Sequence, residues 1–172
     1  LPPFADYSTA GRTYRFQTED PLYPFGFGLS YTRFTYHTIE VDAAESPVSA
    51  RVTVSNDGTC PGEEVVQLYA RFPDHDSDRV RHRLVAFRRV HCAPGERKTV
   101  EIVIEPEELT YVTERGERLP VTGPIVLRAA GSQGDARSIE LGAAVGVETT
   151  FAAEIVSHTE ARCVKDEKAI KR

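Results

Sequence analysis

Apolar and polar residues alternate along most of the chain in short segments that are separated by turn-forming residues. The clearest segment is VSARVTVSN at 48–56, in which every second residue from Val48 to Val54 is apolar. Because successive side chains of a strand point to opposite faces, this alternation predicts a strand with one face in a core. The sequence NDG at 56–58 tolerates positive φ angles and is typical of a turn.

Segments of this type recur at the spacing of sandwich folds, with almost no amphipathic helix between them. About seven strands therefore predict an all-β fold, an immunoglobulin- or fibronectin III-like β-sandwich. The other predicted elements are strands at 63–72, 82–90, 98–106 and 123–131, a short strand in GRTYRF (11–16), a helical turn in PEELTY (106–111), a hairpin turn in ERGE (114–117) and a closing strand in RSIELGAAVGV (137–147).

The sequence before the predicted sandwich lacks this alternation and is rich in aromatic residues, proline and glycine. PLYPFGFGLSYTRF at 21–34 contains five aromatic residues, two prolines and two glycines. Proline and glycine interrupt both helices and strands, so this segment predicts an irregular but well-defined chain path. We divide the chain into a linker at 1–32, a sandwich at 33–157 and a charged tail at 158–172.

Composition and charge narrow the possible classes of protein. Of the 172 residues, 40% are hydrophobic and 27% charged, which is ordinary for a globular domain. No apolar run is long enough for a membrane helix, and the net charge of -5 argues against nucleic acids and anionic membranes as partners. The chain begins with Leu1 and lacks methionine, so we expect a piece of a longer protein.

The cysteines at 60, 92 and 163 form no CxxC pair and are odd in number. They are interpreted as ordinary thiols, either in a reducing compartment or without a redox role. A cytoplasmic and a secreted location both stay open, with a slight lean to the cytoplasm.

Specific motifs resemble one family of enzymes. GRTYRF and YPFGFGLSYT occur together as they do at the end of the α/β domain of family 3 glycoside hydrolases, which include β-glucosidases and β-xylosidases. VTVSNDGTCPGEEVVQLYARFPD, LVAFRRVHCAPGERKTVEIVI and GPIVLRAAGSQGDARSIELG follow in the order of the fibronectin type III-like domain that many of them carry at the C-terminus. The resemblance spans about residues 1–145. Departures at DRVRHRL and Cys92 indicate a divergent subfamily.

The resemblance implies that the chemistry lies elsewhere in a longer enzyme. Retaining glycosidases need two carboxylates about 5 Å apart, and in this family both precede the segment present here. No catalytic residue and no cofactor are therefore assigned, and the chain alone is expected to be inactive. The parent is expected to hydrolyse β-linked, non-reducing terminal sugars of oligosaccharides or glycosides, with this sandwich packed on its catalytic domains or at a homodimer interface.

Two charged clusters have competing interpretations. Asp74, His75, Asp76 and Asp78 could bind a divalent cation, but the EF-hand spacing is missing, so a solvated loop is favoured and no metal is assigned. The arginines at 79, 81, 83, 88 and 89 could bind phosphate, but pairing with Glu101 or Glu105, or exposure to solvent, is favoured.

The aromatic residues give the strongest binding hypothesis. Flat aromatic faces stack on sugar rings, which makes Tyr23, Phe25, Phe27 and Tyr31 candidate sugar-binding residues. The favoured interpretation is that these side chains, with Phe34 and Tyr36, are buried in a core or interface. An independent carbohydrate-binding module, or an Ig-like interaction domain, is the alternative to a docking module.

Overall fold

The computed structural model describes residues 5, 11–17, 19–44, 46–75, 82–113, 115–133 and 136–152. Strands dominate this part of the chain. In chain order the elements are α1 (Thr13–Phe16), β1 (Phe34–Asp42), β2 (Val48–Asn56), β3 (Gly62–Arg71), β4 (Arg83–Cys92), β5 (Arg97–Ile104), a 3₁₀ turn (Pro106–Leu109), β6 (Thr110–Val112), β7 (Arg118–Pro120), β8 (Pro124–Ala130), α2 (Ala136–Glu140) and β9 (Val147–Ala152).

The strands form two antiparallel sheets that enclose a core. One sheet has the order β1-β2-β5 and the other β4-β3-β8-β9, and a small β6-β7 hairpin stands beside them. This confirms the predicted all-β sandwich. The described residues contain nine strands where about seven were expected, and two of them are the short β6 and β7 on either side of the predicted ERGE turn.

Alternating side chains build the core as the sequence pattern predicts. On β2, the residues from Val48 to Val54 alternate between the buried face and the outer face, and Val52 pairs with Val100 of β5. Burial of apolar surface of this kind is the main favourable contribution to folding. The largest core side chains, each almost fully buried, are Phe72, Leu68, Ile104, Leu109, Ile125, Leu127, Val52, Val54, Val66 and Val121.

Two sequence predictions are wrong. GRTYRF was predicted as a strand, but Thr13–Phe16 form a single helical turn, α1. The hydroxyl of Tyr14 accepts a hydrogen bond from the backbone N–H of Leu84 at 3.2 Å. This tertiary contact, and not a strand partner, holds the segment.

The closing strand also lies later than predicted. Ala136–Glu140 form the short helix α2, and the last strand, β9, begins at Val147 and pairs with β8. The side chain of Ser138 donates to the carbonyl of Gln133 at 2.5 Å, which ties α2 to the preceding loop. The intervening chain, residues 141–146, forms neither helix nor strand. By contrast, the helical turn predicted in PEELTY is confirmed as the 3₁₀ turn at Pro106–Leu109.

Two valine truncations on neighbouring strands test this assignment of the core. Val52 is fully buried, whereas Val103 is 46% exposed on β5. Val52→Ala should lower the free energy of unfolding by about 1.5–3 kcal/mol, because it removes buried methyl groups and leaves a cavity. Val103→Ala should lower it by less than about 1 kcal/mol. Urea unfolding of both variants gives the comparison, and equal losses would contradict the assignment.

Candidate functional site

The most unusual feature outside the core is the residue 21–34 stretch, called here the aromatic segment. Its backbone is held by polar side chains of β3. The Gln67 Nε2 group donates to the carbonyls of Gly26 (3.2 Å) and Gly131 (2.6 Å). The Tyr69 hydroxyl donates to Gln67 Oε1 at 2.6 Å and lies 3.4 Å from the Phe25 carbonyl. The sandwich itself therefore fixes the middle of the segment.

A second group of hydrogen bonds comes from the loop after β8. The backbone N–H of Gln133 donates to the Phe25 carbonyl at 2.8 Å. The Gln133 side chain is itself buried, with its Nε2 2.7 Å from Nε2 of His82. We call Gln67, Tyr69 and Gln133 the polar clamp. Because buried polar groups that lack partners are costly, these bonds define one path for the chain.

Gly26 is required at the centre of the polar clamp. Its φ is +75°, and a Cβ atom there would overlap Gln67 Oε1 and lie 2.9 Å from the Tyr69 hydroxyl. A positive φ disfavours every residue with a side chain, and the close approach removes the remaining space. Gly28, two residues on, has no atom within 4 Å of the corresponding position.

The structure separates the predicted aromatic residues into two groups. Phe34 and Tyr36 are buried in the core, as predicted. Burial in the core of this chain is wrong for Tyr23, Phe25 and Tyr31, which are 71%, 41% and 103% exposed, and burial at an interface with another domain stays a prediction. Phe25 is the least exposed of the three, because its ring stacks on that of Tyr14. Phe27 is intermediate and stacks loosely on Tyr23, with ring centroids 6.0 Å apart.

The first part of the segment forms a small pocket with α1 and the residues that follow it. Its volume is about 220 Å³, and we call it the aromatic pocket. Tyr14 and Phe25 stack face to face in its wall, with centroids 4.0 Å apart and planes at 10°. Tyr23 is a further aromatic wall, and the polar wall consists of Gln17, Glu19, Asp20 and Gln133.

One atom in this wall lacks a partner. Gln133 is only 6% exposed, and its Oε1 makes no hydrogen bond in the structure. Its Nε2 is already occupied by His82 and, at 3.4 Å, by the carbonyl of Tyr14. Gln133 therefore holds a buried acceptor without a partner, which is uncommon in native structures.

The second part of the segment borders a larger groove of about 960 Å³. Residues 26–30 and 32–36 form one side, and residues 141–147, between α2 and β9, form the other. Leu29 on one side and Val145 on the other expose their apolar side chains in the groove, and Tyr31, which does not line it, is exposed beside it. We call this the apolar groove.

The buried Tyr36 and the half-buried Glu64 form a hydrogen bond in the floor of the apolar groove. The Tyr36 hydroxyl donates to Glu64 Oε1 at 2.8 Å. Burial raises the pKa of Glu64 above its ordinary value, and the hydrogen bond from Tyr36 opposes that rise. Burial, with the neighbouring Glu64 charge, raises the pKa of Tyr36, which keeps this phenol a neutral donor.

The predicted metal loop is only partly described. His75 lies against the ring of Tyr111, with centroids 4.2 Å apart, and its Nε2 is 2.8 Å from the carbonyl of Thr122. These contacts give His75 a structural role. Asp76 and Asp78 lie outside the described residues. Among the residues that are described, no three His, Cys, Asp or Glu side chains converge on a possible metal position.

The arginine run is engaged by neighbouring groups where it is described. Arg88 donates to the backbone carbonyl of Glu101 at 2.7 Å, and Arg89 pairs with Glu63 at 2.9 Å. The guanidinium of Arg83 donates to the carbonyl of Thr110 and lies 5.1 Å from the ring centre of Phe72. Arg79 and Arg81 lie outside the described residues. Within the described chain, no helix has the length and apolar character to cross a membrane.

Comparison with known proteins agrees with this architecture. Residues 64–133 match the model of the fibronectin type III-like domain, which covers β3 to β8. A β-xylosidase of Formosa agariphila is 36% identical over 143 residues, which are 79% of this chain and 20% of that protein. Beta-glucosidase B of Emericella nidulans is 44% identical over 95 residues, 55% of this chain and 11% of that protein.

Solved structures give the same result. The β-glucosidase DesR of Streptomyces venezuelae superposes with a TM-score of 0.64 at 30% identity over 76% of this chain and 16% of its own. For β-glucosidase 3B of Thermotoga neapolitana the TM-score is 0.66 at 27% identity, over 81% and 18% of the two chains. The chain belongs to the C-terminal, fibronectin type III-like part of the family 3 glycoside hydrolases. It spans about a fifth or less of the length of these relatives.

In this family 3 module the polar clamp can be tested with two glycine substitutions. Gly26→Ala should loosen residues 21–31, because the new Cβ displaces Gln67 and the positive φ is strained. We expect at least about tenfold faster hydrogen exchange at the Phe27 amide, which donates to the Pro24 carbonyl. Gly28→Ala is the matched control and should leave that rate unchanged. Equal exchange rates in the two variants would refute the role of the clamp.

A second test concerns the half-buried Glu64. Because its pKa is higher in the folded state than in the unfolded state, ionisation opposes folding. The contribution of Glu64 to stability is therefore complete below the pKa that its carboxyl has in the unfolded chain. It is lost as the pH rises through the pKa of the same carboxyl in the folded chain. Glu64→Gln keeps an acceptor for Tyr36 and cannot ionise. Its stability relative to the native chain should increase as the pH rises above about 4.5.

Urea unfolding across a pH series from about 4 to 8 measures this difference. Glu63→Gln removes the same charge from the exposed neighbouring position and controls for the change in net charge. A difference between Glu64→Gln and the native chain that stayed constant across the series would contradict the proposed effect of burial.

Proposed function

We propose that this chain is a non-catalytic module of a larger family 3 glycoside hydrolase, and that the module docks on the catalytic domains of the same polypeptide. The parent would hydrolyse O-glycosyl bonds of β-linked, non-reducing terminal sugars. Support comes from relatives named as β-glucosidases and β-xylosidases, of which the chain spans about a fifth or less. In this proposal residues 1–32 are the end of the α/β domain and the linker, 33–157 the sandwich and 158–172 a charged tail.

The observation that carries the docking proposal is the contrast between a fixed backbone and exposed apolar side chains. The polar clamp holds the aromatic segment in place, yet Leu29 is 90% exposed and Tyr31 is fully exposed. Large apolar side chains on a rigid, contiguous surface usually mark a contact site. Val145, also exposed, extends this surface across the apolar groove.

The end of the groove near β1 is fixed as firmly as the middle of the segment. The Thr32 hydroxyl donates to Oδ1 of Asn56 at 2.5 Å, and the fully buried Asn56 side chain donates to the carbonyls of Cys60 and Cys92. A surface that is ordered before contact loses little conformational entropy on docking. The geometry therefore favours a permanent, preorganised contact with neighbouring domains.

A reducing compartment fits the same proposal. In the described part of the chain, Cys60 and Cys92 are free thiols, exposed and buried respectively, and Cys163 lies outside the described residues. Free thiols of this kind persist where the cell keeps cysteines reduced.

The docking proposal predicts different effects in the longer enzyme and in this chain alone. In the enzyme encoded by the complete reading frame, Leu29→Ser combined with Tyr31→Ser should reduce stability by about 2–4 kcal/mol, because apolar area is no longer buried between domains. In this chain alone, the same pair should change stability by less than about 0.5 kcal/mol, since both side chains are already in water.

Thermal unfolding of both proteins provides the measurement. Phe87→Ser is the control, because Phe87 is also exposed but lies on β4, away from the apolar groove. Equal effects of Phe87→Ser and the double variant in the longer enzyme would refute docking through the groove. A dimer of this chain that the double variant abolishes would instead assign the groove to a second copy. A reading frame without upstream catalytic domains would overturn the parentage itself.

A further inference from the structure

We propose that Glu64, in the floor of the apolar groove, binds a lysine or arginine side chain that the neighbouring catalytic domain inserts into the groove. This inference rests on the docking function proposed above and specifies the chemistry of the docked segment. Apolar docking alone would use exposed side chains such as Leu29 and Val145. The carboxylate between them adds a negative charge, which a docked segment has to compensate.

Glu64 lies near the start of β3 and points towards the other sheet. It shares a face of β3 with the buried core residues Val66 and Leu68, and its Oε1 accepts the hydrogen bond from Tyr36 of β1. Unlike those core residues, Glu64 is only half-buried and lines the groove. Gly131 lines the groove too, and a Cβ atom there would overlap Glu64 Oε1. The missing side chain at position 131 therefore leaves room beside the carboxylate.

Within the described residues, no cation forms an ion pair with this carboxylate. Burial raises the pKa of Glu64, only the hydrogen bond from Tyr36 opposes that rise, and no basic side chain contributes. The other charged residues of the groove wall are Glu63 and Arg33. Glu63 is exposed and pairs with Arg89 at 2.9 Å, and Arg33 does not reach Glu64. Glu64 thus gives the groove one uncompensated carboxylate, and its Oε2 has no hydrogen-bond partner in the described chain.

A docked segment would make this charge costly unless it supplied a cation. Filling the groove removes water from Glu64, and an ionised carboxylate without a partner is unfavourable in a dry interface. Protonation would also remove the charge, but Tyr36 already donates to Oε1 and so favours the ionised form. A lysine or arginine compensates the charge directly. Its aliphatic part packs on the apolar walls of the groove while its charged end reaches Oε2.

The position and charge of the groove favour the catalytic domain over a second copy of this chain. The aromatic segment, which borders the groove, precedes the sandwich in the sequence and in the proposed function leads to the α/β domain. That domain is therefore within reach of the groove. A two-fold dimer through the same face would instead place two Glu64 carboxylates in one interface, and like charges there oppose association.

The test compares the enzyme encoded by the complete reading frame with this chain alone. Hydrogen exchange at residues 141–147, measured by mass spectrometry, reports whether the groove is covered. In the longer enzyme, Glu64→Gln should speed this exchange at least about tenfold, because it leaves the inserted cation without a counter-charge. In this chain alone the same substitution should leave the rate unchanged, since glutamine keeps an acceptor for Tyr36. Glu63→Gln, the matched control, should change the rate in neither protein.

Tyr36→Phe separates the ion pair from a structural role of Glu64. It removes the hydrogen bond within the chain but keeps the carboxylate, so exchange at 141–147 in the longer enzyme should stay slow. Equal acceleration by Glu64→Gln in both proteins, or by Glu64→Gln and Tyr36→Phe in the longer enzyme, would overturn the proposal.

The same measurement distinguishes failure of the ion pair from failure of docking. Acceleration in the longer enzyme by Leu29→Ser with Tyr31→Ser, but not by Glu64→Gln, would overturn the ion pair and leave apolar docking standing. Exchange at 141–147 that is equally fast in the native longer enzyme and in this chain alone would show that the groove is uncovered in both, and would refute docking together with the ion pair.

Discussion

The hydrogen bonds from the Gln67 side-chain amide determine how the N-terminal region meets the sandwich. One nitrogen, Nε2, bonds to the carbonyls of Gly26 and Gly131, and the oxygen of the same amide receives the Tyr69 hydroxyl. Gln67 is almost fully buried on the central strand β3. An amide buried in this way must satisfy its polar atoms inside the protein. The chain path at Gly26 and the loop at Gly131 are therefore fixed together, by one side chain.

The exposed side chains of the aromatic segment follow from these hydrogen bonds. Because the Phe25 and Gly26 carbonyls are bound by the polar clamp, the side chains of Tyr23, Leu29 and Tyr31 are left mostly exposed. The clamp also divides the segment: the part before Gly26 joins α1 in the aromatic pocket, and the part after it borders the apolar groove. Asn56 fixes the far end through Thr32. Both surfaces are thus held by hydrogen bonds from buried polar side chains of the sandwich.

Much of the sandwich was predictable from local pattern, and little of the site was. The alternation at 48–56 predicted β2 with the observed bounds. One face of that strand is buried, so its apolar residues recur at every second position in the sequence. The short GRTYRF stretch failed, because four residues of alternation cannot outweigh a tertiary contact such as that of Tyr14 with Leu84. In RSIELGAAVGV, small and apolar residues suited a strand, but pairing with β8 begins only at Val147.

The polar clamp explains why the aromatic residues were misjudged. Aromatic residues usually occupy cores and interfaces. That tendency holds for Phe34 and Tyr36, which lie two positions apart on β1 and therefore share its buried face. Tyr23, Phe25 and Tyr31 depend instead on Gln67, Tyr69 and Gln133, which are 36 to 110 residues away in sequence. The one local signal was a polar glutamine on a strand with apolar residues on both faces. A buried glutamine in that position needs backbone carbonyls to bind, and the glycine-rich segment before β1 provides one.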